Sequence, residues 1–185
     1  ATTELSMPDA RAYLLTSVGQ AYLMQEKDSR AEAAYAAALV AQPAYAPALL
    51  GQARLQASRG DLPGAVALLD AALEKSPKLH DALQLKGAML ATNGGSAGAM
   101  AAYRKVLEVK PEYLPAHSAI IRMLLADNKL DEAGKQIDLL KETAPNHPQT
   151  HYLQAMYAYQ KKDYAAARDS ILLHLKFYPE SPLGL

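Results

Sequence analysis

The chain contains no cysteine. That excludes a disulfide framework, a thiolate metal site, an iron–sulfur cluster and a cysteine nucleophile, and it leaves the redox compartment open. Tryptophan is also absent and phenylalanine occurs once, so aromatic character rests on 11 tyrosines. Neither charge is in excess, because 19 Lys and Arg balance 19 Asp and Glu over 185 residues. A neutral chain lacks the basic surplus that draws nucleic acid or an anionic membrane. No apolar run approaches the ~18 residues of a membrane span. No basic, apolar and small-residue series of a secretory signal opens the sequence. The first residue is Ala1 rather than Met, as expected of a processed or excised piece. What the chain has in abundance is alanine, 37 of its 185 residues, together with much leucine. Both favour helix, because Ala loses no side-chain entropy there and Leu loses little. The size suits about one domain.

The strongest signal is internal periodicity. Pro43, Pro77, Pro111, Pro145 and Pro179 are each 34 residues apart. Twelve residues before each proline stands an alanine: Ala31, Ala65, Ala99, Ala133 and Ala167. Eight residues before each stands a large side chain with apolar bulk: Tyr35, Leu69, Tyr103, Ile137 and Ile171. With these columns the chain resembles the tetratricopeptide-repeat family over about residues 12 to 179. The alanine sits where two helices of a hairpin cross, where a larger side chain would push them apart. The large residue lies one turn further along the same face. The proline ends the second helix, having no amide hydrogen to give.

This pattern predicts an all-α fold of ten helices. The first helix of each pair spans about 8–25, 45–58, 79–92, 113–126 and 147–160. The second spans about 29–41, 62–75, 96–109, 130–143 and 164–177. Asp9, Asp61 and Asp163 fall near helix starts, where a carboxylate satisfies free amide hydrogens. The turn within each hairpin reads Glu26, Gly60, Gly94, Asn128 and Lys162. Gly and Asn suit a left-handed C-cap; Glu26 and Lys162 suit it less, so those two turns are expected to differ locally. Asn93-Gly94-Gly95-Ser96 reads as a turn and not as a domain boundary. The expected architecture is a single right-handed α-solenoid over 1–185, with repeats at about 12–45, 46–79, 80–113, 114–147 and 148–181. Pro182-Leu183-Gly184-Leu185 falls where a sixth repeat would open, as in a fragment of a longer protein. The last helix offers Ile171, Leu172, Leu175 and Phe177 as an uncapped apolar face suited to self-association.

The resemblance implies a concave groove lined by the first helix of each pair. Its columns fall on Tyr13, Thr16, Gln20, Leu23 and Met24 in the first repeat. In the second they fall on Tyr45, Leu50, Arg54 and Ser58, and in the third on Asp81, Gln84 and Ala88. In the fourth they fall on Tyr113, Ser118, Arg122 and Leu125, and in the fifth on His147, Tyr152, Met156 and Tyr159. Tyr and Arg dominate binding hot spots, although most interface residues carry little energy and ordinary half-exposed helix positions account for many of these. Arg54 and Arg122 stand 68 residues apart, two full repeats, and are placed to hold a carboxylate or acidic segment of a partner protein. Chaperone-binding members of the family use a Lys and Asn clamp. Here Thr16 and Gln20 occupy the early columns and the third repeat lacks the basic pair, which argues against a co-chaperone role.

Catalytic chemistry has no foothold. His147 and His151 are spaced like metal ligands, but Pro148 lies between them and no Glu follows His147. Surface and packing histidines account for the pair. Asp131, Glu132 and Asp138 read as solvated helix charges, since glycosidase carboxylates must flank a sugar-sized cleft. No nucleophile elbow, phosphate loop or dinucleotide motif occurs. The sequence therefore calls for no cofactor, no metal and no enzyme activity. Lys161-Lys162 is the lone adjacent basic pair and looks like a helix end, so nucleic acid is not an expected partner.

Local phrases narrow the family. Ala48-Leu49-Leu50-Gly51-Gln52-Ala53-Arg54-Leu55, Gly60-Asp61-Leu62, and His151-Tyr152-Leu153-Gln154-Ala155 followed by Asp163-Tyr164-Ala165-Ala166-Ala167-Arg168 are similar to one bacterial group. That group is the long repeat lipoproteins of the PEP-CTERM/exosortase system, encoded beside exopolysaccharide genes in Gram-negative bacteria. Its lipid-carrying cysteine is absent here. The resemblance implies a periplasmic or outer-membrane-tethered scaffold for surface-protein sorting or polysaccharide export. Two other readings stay open: a generic cytoplasmic or secretion-apparatus adaptor, and a glycan binder stacking sugars on Tyr13, Tyr45, Tyr113, Tyr152 and Tyr159.

Overall fold

The computed structural model describes residues 7–179, as ten helices with no strand among them. The expected opening of a sixth repeat at Pro182-Leu183-Gly184-Leu185 lies outside the described residues. The first helices are α1 (Met7–Met24), α3 (Ala46–Ser58), α5 (His80–Thr92), α7 (Leu114–Ala126) and α9 (Pro148–Gln160). The second helices are α2 (Asp28–Ala41), α4 (Leu62–Lys75), α6 (Ser96–Val109), α8 (Leu130–Thr143) and α10 (Tyr164–Leu175). The fold is thus an all-α helical repeat. The chain divides into two compact units, Ala1–Ala99 and Met100–Leu185, with the boundary inside α6.

In the first unit α1 packs on α2 and α3 on α4, while α3 also rests on the first hairpin and α5 on α4. Ala31 and Ala65 are wholly buried. Around Ala65 gather Leu49, Leu50, Ala53, Leu69, Ala72, Ala82 and Met89. Around Ala31 gather Tyr35, Ala38 and Ala48. In the second unit α7 pairs with α8 and α9 with α10, and α9 rests on both helices of the hairpin before it. Ala133 is wholly buried there and Ala167 nearly so. The alanine column therefore marks a close helix crossing in these four hairpins, and every column proline is exposed beyond its helix end.

The hairpin turns are more uniform than their sequences. Glu26, Gly60, Gly94, Asn128 and Lys162 all have positive φ, between 57° and 86°. The expectation that the Glu26 and Lys162 turns differ is corrected. In each turn the next residue's N–H returns to a carbonyl five residues back: Lys27 to Tyr22, Asp61 to Gln56, Gly95 to Leu90, Lys129 to Leu124 and Asp163 to Ala158. In each, the positive-φ residue's own N–H bonds three residues back. This double bond closes the helix end, and tertiary packing holds Glu26 and Lys162 to it despite their side chains. The cost is a Cβ in the left-handed region, about 1 kcal/mol per residue. Glu26→Gly and Lys162→Gly should therefore each raise the melting temperature by about 2–4 °C. Asn128→Gly should gain less, because Asn tolerates that conformation. Thermal melts by circular dichroism check the ordering; equal or zero gains would show that the side chains repay the strain through contacts.

Two of the three acidic starts act as caps. Asp61 accepts the Gly64 N–H at 2.9 Å and Asp163 accepts the Ala166 N–H at 3.1 Å. Both satisfy an amide that has no partner inside the helix. The final helix ends at Leu175, two residues short of the expected 177, so Phe177 lies past it. Ile171 and Leu175 are half-buried rather than bare; the exposed apolar residues at this end are Leu172, Leu173, Phe177 and Tyr178.

Candidate functional site

In the first unit, residues of three first helices converge on a cleft of about 350 Å³. From α1 come Thr16, Gln20, Leu23 and Met24; from α3 come Leu50 and Arg54; from α5 comes Asp81. All seven belong to columns expected to line a groove. Their convergence follows from the repeat, since residues at one register on stacked first helices share a face. Arg54 is exposed and, among the described residues, makes no ion pair or hydrogen bond. Asp81 is paired with its neighbour His80 at 3.2 Å.

The floor of this cleft holds a residue that the columns assigned to the core. Tyr35 of α2 is 2% exposed, yet it lines the cleft. Its ring comes up against two glycines: a Cβ on Gly19 of α1 would stand 2.6 Å from Tyr35 Cε1, and a Cβ on Gly51 of α3 would overlap the same edge. Burial pushes the Tyr35 phenol above the ordinary tyrosine value, with the nearby Arg54 charge pulling the other way. Tyr35 and Tyr103 carry polar tips in a column otherwise filled by Leu and Ile, and that tip was the available signal in the sequence.

The other expected groove residues of this unit sit elsewhere. Tyr13 is 58% exposed and Tyr45 is half-buried at the start of α3; neither lines the cleft. They lie near each other and near Asp9: burial first, then Tyr13 and Asp9, push the Tyr45 phenol up. Gln84 is half-buried on α5, outside the cleft. Ser58 is exposed and bonds back to the Leu55 carbonyl.

In the second unit, Arg122 is exposed on α7 and has no ion pair or hydrogen bond among the described residues. It stands near Tyr103 of α6, which is 7% exposed. Burial raises the Tyr103 phenol and the Arg122 charge opposes that rise. Ser118 and Leu125, expected in the groove, are instead buried in the unit's core. Tyr113 precedes α7 in extended conformation, with the Lys110 ammonium 5.9 Å from its ring centroid.

Tyr152, Met156 and Tyr159 of α9 line a larger cleft of about 870 Å³ between α9 and α10. The second helix adds Tyr164, Arg168 and Ile171, which groove columns drawn on first helices alone missed. Tyr159 and Tyr164 meet edge to face with centroids 5.7 Å apart. The histidines have local partners. His147 accepts the Gln149 N–H at the start of α9, and His151 lies within reach of Gln154. Buried His117 accepts from Gln136 and donates to the Pro111 carbonyl at 2.7 Å. His174 donates to the Pro148 carbonyl at 2.9 Å, flanked by the Tyr152 and Tyr178 rings.

A family model described as the second ARM domain of tetratricopeptide repeat protein 21 matches residues 65–181. A tetratricopeptide-repeat model matches residues 18–80. No curated protein sequence matches the chain. Among solved structures, MamA from Desulfovibrio magneticus RS-1 (residue 41 to its end) superposes with a TM-score of 0.76 at 17% identity, covering 93% of this chain and 97% of that one. A tetratricopeptide repeat protein from Parabacteroides merdae gives 0.80 at 16% identity, covering 93% and 68%. YrrB, described as a TPR protein with an unusual peptide-binding site, gives 0.70 at 19% identity, covering 92% and 88%. Identities this low speak to fold alone.

Proposed function

Since the chain belongs to the tetratricopeptide-repeat family, we propose that it is a non-catalytic interaction scaffold that holds a segment of a partner polypeptide against its first helices. The carrying observation is the pair Arg54 and Arg122. Both are exposed, both lack an ion pair or hydrogen bond among the described residues, and both occupy the same register two repeats apart. An unpaired guanidinium beside apolar side chains is suited to a carboxylate on a peptide, because it donates two parallel hydrogen bonds along with its charge. The likeness in fold to a protein described by its peptide-binding site supports the same reading.

Within that reading, the scaffold serves envelope assembly, exopolysaccharide export or surface-protein sorting in a Gram-negative bacterium, in the periplasm or tethered to the outer membrane. The support is the local similarity around His151–Ala155 and Asp163–Arg168 to PEP-CTERM-system repeat lipoproteins. A cytoplasmic or secretion-apparatus adaptor is the alternative. A signal sequence in the full-length gene separates the two. A glycan-binding reading draws on Tyr152, Tyr159 and Tyr164 in one cleft, whereas Tyr13, Tyr45 and Tyr113 do not join it. Quenching of tyrosine fluorescence by purified exopolysaccharide tests it.

The main test is capture from envelope and soluble fractions of the source cell. The native chain is compared with an Arg54→Glu/Arg122→Glu variant. A protein retained by the native chain should be lost with the variant, a drop of at least about tenfold for removing and reversing two charge-assisted contacts. Equal capture by both chains would refute the role of these arginines.

A further inference from the structure

The first unit's cleft contains polar groups that the fold leaves unused. Tyr35 is 2% exposed and lines the cleft, where its hydroxyl opens to solvent and makes no hydrogen bond among the described residues. Thr16, in the same cleft lining, has a buried Oγ1 without a partner among the described residues. Arg54 lines the same cleft and has no ion pair or hydrogen bond among the described residues. Buried hydroxyls are normally satisfied, so the orphaned Thr16 oxygen in the wall of a cleft, with the open Tyr35 hydroxyl in the same lining, marks where a ligand atom belongs. The Tyr35 ring cannot swing away to find another partner, because Gly19 and Gly51 both close on its edge.

We propose that Tyr35, Thr16 and Arg54 form a seat for a single carboxylate of the partner peptide. This rests on the peptide-binding function proposed above and names the group that is bound. The two hydroxyls donate to the carboxylate oxygens, and the guanidinium supplies the countercharge. A phosphate suits the seat less well. Among the described residues Arg54 is the one cationic side chain in the lining, and Asp81 lines the same cleft, so a dianion would be under-compensated. Leu23, Met24, Leu50 and Leu79 line the rest of the cleft. The preferred partner segment therefore places an apolar residue beside an acidic one.

The sequence carries this pairing a second time. Of the four places where a second helix is followed by the next first helix, two combine Tyr with Arg: Tyr35 with Arg54, and Tyr103 with Arg122. The other two combine Leu69 with Ala88 and Ile137 with Met156, apolar at both positions. Neither Tyr nor Arg occurs in these columns without the other. Tyr103 repeats the burial of Tyr35 at 7% exposed, and its hydroxyl has no hydrogen-bond partner among the described residues. Burial also keeps both phenols protonated, as a donor requires.

The experiment uses the full chain on an array of heptapeptides, each carrying Asp or Glu beside Leu, Met or Phe. Each peptide is matched by its Asn or Gln isostere. The proteins compared are native, Tyr35→Phe/Tyr103→Phe, Thr16→Val and Arg54→Gln/Arg122→Gln. Phe keeps the ring in its slot and removes only the unsatisfied hydroxyl, and circular dichroism melts verify that the fold survives. The native chain should prefer acid over amide by about tenfold. The double Phe variant and Thr16→Val should each reduce that ratio about threefold or more, and the double Gln variant should abolish it. Peptides that bind with an unreduced acid preference in the double Phe variant would overturn the seat while leaving peptide binding intact. Peptides that bind the native chain without acid preference would do the same. No peptide binding to the native chain would overturn both.

Discussion

Tyr35→Ala should destabilise the first unit by about 3–5 kcal/mol, the range for removing a fully buried aromatic ring. The more telling result concerns its neighbour. Gly51→Ala alone should cost about 1–3 kcal/mol, because the new methyl overlaps a ring that Gly19 hems in from a different helix. In the Tyr35→Ala background the same change should become favourable. The methyl then enters vacated space, and alanine in a helix interior is better than glycine by about 1 kcal/mol. Urea unfolding of the four proteins completes the double-mutant cycle. A coupling near zero would mean that the glycines and the tyrosine are not fitted to one another. The cycle reaches function as well, since the same ring forms the floor of the cleft beneath Arg54.

Ala65→Leu is expected to cost about 3 kcal/mol, the upper end for overpacking. Ala65 is wholly buried where α4 crosses α3, with Leu49, Leu50, Ala53 and Leu69 in the same cluster. Three added carbons must separate two helices whose spacing every other contact in the hairpin has set. Two changes serve as controls. Ala67→Leu lies on the exposed face of the same helix and should fall within about 0.5 kcal/mol of native. Ala167→Leu occupies the same column in the last hairpin, but it borders the open 870 Å³ cleft and should cost clearly less than Ala65→Leu. Equal costs at 65 and 167 would show that crossing distance within a hairpin, and not free volume around it, decides the penalty.

The helices were legible because the 34-residue repeat presents the same signals five times. A proline past each second helix and an alanine at each crossing act locally, and local rules are what sequence carries most directly. First-helix register assigned Gln20, Arg54, Tyr152, Met156 and Tyr159 to one groove; within the units, Gln20 and Arg54 line one cleft and Tyr152, Met156 and Tyr159 another. Ser118 and Leu125 were misplaced because a helix has two buried faces in a repeat, and a column alone does not say which neighbour covers it. Tyr45, which the sequence set just before the second repeat's groove positions, precedes α3 in extended backbone, where helical register does not set side-chain direction.

By itself, then, the sequence determined an all-α repeat, its helix bounds to within about two residues, and the two arginines on which the proposed function stands. Tertiary structure alone decided the rest. It holds Glu26 and Lys162 in the left-handed turn their side chains disfavour, since closing the helix end and seating the next helix outweigh about 1 kcal/mol of local strain. It also turns a core tyrosine into the floor of a cleft. Whether a buried ring ends against other side chains or at an opening depends on the glycines of two other helices, 16 residues away on either side of Tyr35. A distance of that kind exists only after the helices have packed.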